Sequence, residues 1–299
     1  MLRGGALESA LKLLATGVVR RVANTLTPLA IPVMPLKGAL WQATLYEAHE
    51  ERSLADVDVV VPSNQFELAE AALLRSGFAY TAEPATHRED FASSDEPLSL
   101  RDWGRQLVAG YPRERELRAP ELPLYLDLHR SLFARGRYAL TTRGLFARAR
   151  RDQALFGAPV WVPHPLDQLA HLLGHLATDH RPGEAMYRSD LERLVVRERI
   201  APEAAAKHLE RHGLARAARF ALLELGTPAI QAWVAHCVTS MQPDPLGDAL
   251  VVAARDIVHR TGRFSSWSAL MGHALNTDPR QIVAALSWAA VSRVRARSL

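Results

Sequence analysis

The chain has 299 residues, 48% apolar and 23% charged, which fits an ordinary globular protein and excludes both a disordered and a fibrous one. Its single cysteine, Cys237, excludes an internal disulfide. Glu8 and Lys12 interrupt the apolar N-terminal stretch that a secretory signal needs. No uncharged apolar run approaches the ~20 residues that cross a bilayer, so a cytoplasmic protein without membrane contact is expected. The net charge of +4 would favour polyanions such as a nucleoside triphosphate or RNA, but for this length it identifies no partner.

In chain order, residues 5–28 carry Leu7, Leu11, Leu14, Val18 and Val22 at helical spacing. The apolar run 29–36, broken by prolines, predicts a buried strand ending at Lys37 and Gly38, and a helix follows over about 39–47. The β-branched segment 54–61, LADVDVVV, predicts a strand stopped by Pro62. A helix capped by Asn64, with Glu67 three residues on, is expected to end at Gly77.

Residues 81–121 are polar and without sustained period, which predicts a long insertion with a short helix or hairpin near Trp103. The alternation LYLDL over 124–128 predicts a third strand, 143–151 an exposed basic helix, and 159–162 a last short strand. From 164 onward the pattern is helical, with Pro165, Pro202, Pro228 and Pro279 in first turns and Thr227 and Asp278 available as caps. The expected fold is therefore α/β (α+β), with a sheet-bearing lobe over 1–163 and an all-helical lobe over 164–299.

Asp56 and Asp58 lie two apart on the expected strand, so the period of two turns both carboxylates to one face. Beside Val57, Val59, Val60 and Val61 that pairing is costly unless cations or donors neutralise it. Hard oxygen ligands of this kind suit Mg2+ or Mn2+. Asp127 and His129 share a face of the next strand, and if that strand lies beside the first, three mutually repelling carboxylates converge on one patch. Such a patch suffices for two metals about 3.5–4 Å apart.

The ordered run Leu36-Lys37-Gly38, Leu45-Tyr46, Arg52, Asp56 and Asp58 resembles the uncharacterised nucleotidyltransferase family of the DNA polymerase β-like superfamily. The resemblance continues through Ser76-Gly77-Phe78, Asp127-Leu128-His129 and, in the helical lobe, His175, His180 and Asp190. It implies a small mixed sheet with helices, metals on Asp56 and Asp58 with Asp127 as third carboxylate, and transfer of a nucleoside monophosphate from ATP or another triphosphate to an acceptor. The acceptor is left open among a small molecule, RNA and protein. Lys37, Gly38 and Arg52 are the expected nucleotide contacts, and His129, His175, His180, Arg188 and Asp190 the acceptor-side or supporting residues.

One departure stands out. The wider superfamily places a Gly-Ser pair before the aspartates, whereas this chain has Lys37-Gly38-Ala39. A lysine charge then replaces a hydroxyl contact, and a glycine ahead of a helix still lets backbone N–H groups approach an anion. A non-catalytic module that binds a nucleotide or a protein partner on the same fold is the competing reading. His171 and His175, four apart, superficially suggest zinc, but neither a following glutamate nor a nearby cysteine supports it.

Overall fold

The computed structural model describes residues 3–47, 50, 52–81, 114–119, 124–133, 137–177, 185–261 and 275. They form a mixed α+β fold in two compact units. One lies within 1–102, 109–132 and 141–164, the other within 103–108, 133–140 and 165–299.

The first unit starts with helix α1 (Arg3–Leu26). Its Val18, Val19, Val22, Ala23 and Leu26 recur at one-turn spacing and are fully buried. Two arginines on the same helix reach back over the unit: Arg20 donates to the Phe156 carbonyl at 2.9 Å, and Arg21 donates to the Ser76 carbonyl at 2.7 Å while lying over the Phe78 ring. Strand β1 (Met34–Pro35) is shorter than the apolar run promised, because Ile31 and Val33 leave the ladder; Val33 instead accepts from Trp161 N–H at 2.8 Å. Helix α2 (Lys37–Thr44) follows directly.

Strand β2 (Asp56–Val60) is the expected valine-rich strand, and α3 (Phe66–Arg75) the expected amphipathic helix. Their ends differ in how far the sequence anticipated them. Asn64 is not the cap: a 3-10 turn over Ser63–Gln65 intervenes, Gln65 occupies the cap position, and no side chain closes it. Glu67 pairs instead with Arg130, whose guanidinium lies 4.3 Å from the Phe66 ring. Gly77 does end the helix. At φ 96° it donates to Leu74 O while Phe78 donates to Leu73 O, the paired bonds of a Schellman turn.

Strands β3 (Ala79–Tyr80), β4 (Glu114–Arg118) and β5 (Tyr125–His129) complete a five-stranded sheet of order β1-β2-β5-β4-β3. The β2–β5 pair is parallel and the others antiparallel. β4 falls in the stretch read as an aperiodic insertion; the element expected near Trp103 lies outside the described residues. Val57, Val59, Leu117, Leu126 and Leu128 occupy one face and are inaccessible to solvent. The other face carries Asp56 and Asp58 of β2, Asp127 and His129 of β5, and Glu114 and Glu116 of β4.

The basic segment splits in two. Helix α4 (Thr142–Arg148), capped by the Thr141 hydroxyl accepting from Gly144 N–H, stops before β6 (Arg150–Asp152), which pairs with β7 (Val160–Val162).

The second unit is helical: α5 (Pro165–Leu176), α6 (Ala185–Arg197), α7 (Pro202–Arg211), α8 (Ala215–Leu225), α9 (Gln231–Ser240) and α10 (Pro245–Thr261). Pro165 and Pro202 open helices as expected, but Pro228 opens a 3-10 turn, and the Thr227 hydroxyl donates to Glu192 rather than capping. Pro279 and Asp278 lie outside the described residues. On α8, Arg216 grips Asp244 through two nitrogens and Arg219 donates to Asp248 and to Gln242 O, fixing the start of α10.

Gly174 on α5 leaves no room for a methyl group, since a Cβ there would sit 2.7 Å from Leu214 and from the Phe133 ring. α6 and α7 both end in Schellman turns, with Arg199 (φ 51°) and Gly213 (φ 72°) in the left-handed position. Cys237 on α9 is fully buried, which pushes its thiol up to about 12. Among the described residues no helix is long and apolar enough to cross a membrane.

Candidate active site

The polar face of the first unit's sheet is assembled by strand register. Asp58 pairs with Asp127 across the parallel β2–β5 ladder, and Asp56 with Tyr125. On the other side of β5, Glu116 pairs with Asp127 and Glu114 with His129. Register partners share a face, so Asp56, Asp58, Asp127, His129, Glu114 and Glu116 project together. One ligand atom each of Asp58, Asp127 and His129 lies within 4.8 Å of the others.

Asp58 is the hub. Its Oδ1 accepts from Lys37 Nζ at 3.1 Å and lies 2.7 Å from His129 Nε2, and the His129 Nδ1 lies 3.3 Å from Glu114 Oε2. Burial opposes ionisation of Asp58, yet the charge of Lys37 and the hydrogen bond from His129 together hold its carboxyl well below the ordinary carboxylate range.

The other two aspartates respond in the opposite sense. Burial and the Asp58 charge raise Asp56, outweighing Lys37, His129 and Arg52. Asp127 is pushed up to about 6 by burial, with Asp58, Asp56 and Glu114 adding to the effect against His129. Burial and, after it, repulsion between carboxylates therefore fall on Asp56 and Asp127, while Lys37 and His129 spare Asp58.

The backbone around Lys37 brings its ammonium to Asp58. Leu36 N–H donates to Asp58 O at 2.9 Å and Leu36 is extended; the chain then enters α2 with Lys37 itself at φ 42°. A left-handed lysine costs on the order of 1 kcal/mol and persists only where its surroundings require it. Gly38, expected to let backbone N–H groups approach an anion, also leaves space inside the chain: a Cβ there would sit 2.8 Å from Arg52 Nη1 and 2.9 Å from Leu54 Cδ2.

Arg52 is buried, stacks 5.4 Å from the centroid of the Trp41 ring and donates to Ser53 O, while its N–H donates to Gln42 Oε1. Its guanidinium is thereby placed against the first turn of α2.

Lys37, Gly38, Arg52, Asp56, Asp58, Asp127 and His129 thus all belong to the sheet unit. His175, Arg188 and Asp190 belong to the helical one, where His175 and Asp190 are buried and the exposed Arg188 donates to Glu224 O. His180 lies outside the described residues. The His171 and His175 rings are 6.0 Å apart, with Phe133 edge-on to His171, and no described third donor completes a metal set with them. Glu114 and Glu116 were missed by sequence reasoning, since ERELR holds a single apolar residue and shows no alternation of hydrophobicity.

Residues 7–225 match the family described as uncharacterised nucleotidyltransferase. No curated protein matches the chain. The matched span takes in the whole carboxylate face and helices α5 to α8 of the helical unit, and the chain belongs to the uncharacterised nucleotidyltransferase family.

Proposed function

We propose that the protein transfers a nucleoside monophosphate from a nucleoside triphosphate, ATP among the candidates, to an acceptor hydroxyl on a small molecule, RNA or protein. In this reading residues 1–163 form the catalytic domain and 164–299 a helical domain. The observation that carries it is the register of Asp58 against Asp127 with Asp56 on the same face.

The oxygens of Asp56, Asp58 and Asp127 fit Mg2+ or Mn2+, and a divalent cation would favour the charged forms of Asp56 and Asp127, which burial first and neighbouring carboxylates second raise. When bound, such an ion supplies charge neutralisation and Lewis-acid polarisation at the reacting phosphorus. The chain's own groups do the rest. The N-terminus of α2 beyond Gly38, Lys37 and Arg52 face the triphosphate with positive charge. Asp127 takes the proton of the acceptor hydroxyl as its oxygen bonds to the α-phosphorus. The bond from that phosphorus to its bridging oxygen breaks, and pyrophosphate leaves with the electron pair. His129 holds Asp58 and, with Glu114, fixes the hub.

The test is transfer of label from α-labelled triphosphates into cell extract with Mg2+ present. Wild type labels an acceptor that Asp56→Asn and Asp127→Asn leave unlabelled; equal labelling by all three overturns the reading. One observation favours the competing, non-catalytic module: Asp58 Oδ1 is already shared by Lys37 and His129. That module binds triphosphate equally well with EDTA, whereas the transferase loses most of its affinity.

A further inference from the structure

A second cluster of ligand-type side chains sits inside the helical unit. Asp167, in the first turn of α5, is fully buried, and His208 and His212 are each 8% exposed. One ligand atom from each lies within 4.8 Å of the others. The two histidines are four apart at the end of α7, where the bond from His212 N–H to His208 O continues the helical turn and sets the rings edge-on, 4.6 Å apart, on one face. The Schellman turn beyond, with Gly213 left-handed, fixes His212 at the cap position.

We propose that Asp167, His208 and His212 form a zinc-type metal site that ties α5, α7 and the 137–140 segment together. His212 Nδ1 lies 3.1 Å from Ala139 O. A carbonyl only accepts, so Nδ1 carries the hydrogen and Nε2 is left with its lone pair, the arrangement by which an outer partner orients a metal-binding imidazole.

His208 Nε2 and Asp167 Oδ1 approach to 2.9 Å, yet the ring nitrogen is not in hydrogen-bonding alignment with the oxygen. Two ligands of one ion meet in this way: bonds of ~2.0–2.1 Å separated by 90–109° place the donor atoms about 2.9–3.4 Å apart. A carboxylate with no solvent exposure also gains most from a cation at its side.

The donor set decides the ion. Two imidazoles and one carboxylate suit Zn2+ and its borderline neighbours, and three protein ligands leave a tetrahedral ion one further position. The carboxylates of the sheet suit Mg2+ instead. The two clusters therefore select different metals.

The experiment uses the full chain, stripped with EDTA, dialysed against excess Mg2+ with limiting Co2+ or Zn2+, and desalted. Wild type and Asp127→Asn are expected to keep about one Co2+ per chain with the visible absorption of low-coordinate cobalt. Zn2+ raises their melting temperature by several degrees. His208→Gln, His212→Gln and the isosteric Asp167→Asn lose the absorption and the zinc-induced rise. The inference is overturned if wild type retains no Co2+ or Zn2+, which makes the cluster a histidine–aspartate pair. It is equally overturned if the absorption survives His208→Gln and His212→Gln but disappears in Asp127→Asn, which puts the ion on the sheet.

Discussion

Asp58, Asp127 and His129 meet because two parallel strands run in register, whereas Asp167, His208 and His212 meet because two helical residues four apart face a carboxylate on another helix. Both clusters combine aspartate with histidine, but their electrostatics differ. The sheet cluster carries its own cation in Lys37 and an excess of carboxylates, two of them raised. The helical cluster has one fully buried carboxylate and two imidazoles. A surplus of carboxylates suits a site that exchanges polyanionic ligands and their ions; a closed set with one carboxylate suits a permanent brace.

The sharpest way to break this contrast is Asp58→Ala. It removes the acceptor shared by Lys37 and His129, and losing one partner of a buried pair costs about 3–5 kcal/mol. The urea midpoint is expected to fall accordingly, and Asp58→Asn lowers it too, because the charge that holds Lys37 is lost. A midpoint unchanged in both variants means that Asp58 supports nothing. Asp127→Asn instead removes a charge that burial and, secondarily, the neighbouring carboxylates disfavour.

A smaller effect is expected where the helical unit is packed without slack. Gly174→Ala drives a methyl group into Leu214 and Phe133, and overpacking of this kind costs about 1–3 kcal/mol. Calorimetry reads it as a lower melting temperature, and an unchanged melt shows that Phe133 swings aside.

The pH dependence of the sheet cluster follows from Asp127. Its folded value of about 6 lies above the ordinary unfolded carboxylate value of about 4. The folded state therefore holds the proton more tightly. The resulting stabilisation is complete below the unfolded value and lost as pH rises through the folded one. Relative to Asp127→Asn, the wild type loses about 1 kcal/mol between pH 4 and 7, less than full burial would give because solvent reaches the carboxylate. Denaturation midpoints of the two proteins that run parallel across this window would contradict the assignment.

The smallest expected change lies outside both clusters. α3 and α7 end on left-handed glycines, while α6 ends on left-handed Arg199. Arg199→Gly is expected to stabilise the chain by about 0.5 kcal/mol, the relief at φ 51° being partly offset by the freer unfolded backbone. A lower melting temperature would show that the arginine side chain contributes more than its backbone costs.

The central strands were legible because each presents a clean apolar face: Val57 and Val59 on β2, Leu126 and Leu128 on β5. A period of two then placed Asp56, Asp58, Asp127 and His129 on the opposite faces without any knowledge of their pairing. β4 was silent for the converse reason, Leu117 being the only apolar residue among four charged ones. With β4 went Glu114 and its approach to His129. The work done by Gly38 could not be read either, since the space it vacates is filled by Arg52 and Leu54, and these reach it only after the chain has turned from α2 into β2. His208 and His212 were overlooked in KHLERHG because their third partner, Asp167, lies on another helix.

Cys237 gives the native chain a reporter that needs no engineering. It is the only thiol in the sequence, it has no solvent exposure, and its ionisation is strongly suppressed. Thiolate reagents can reach it only when the surroundings of α9 open, so the rate of modification in native buffer measures local opening of the helical unit and is blind to fraying of the sheet.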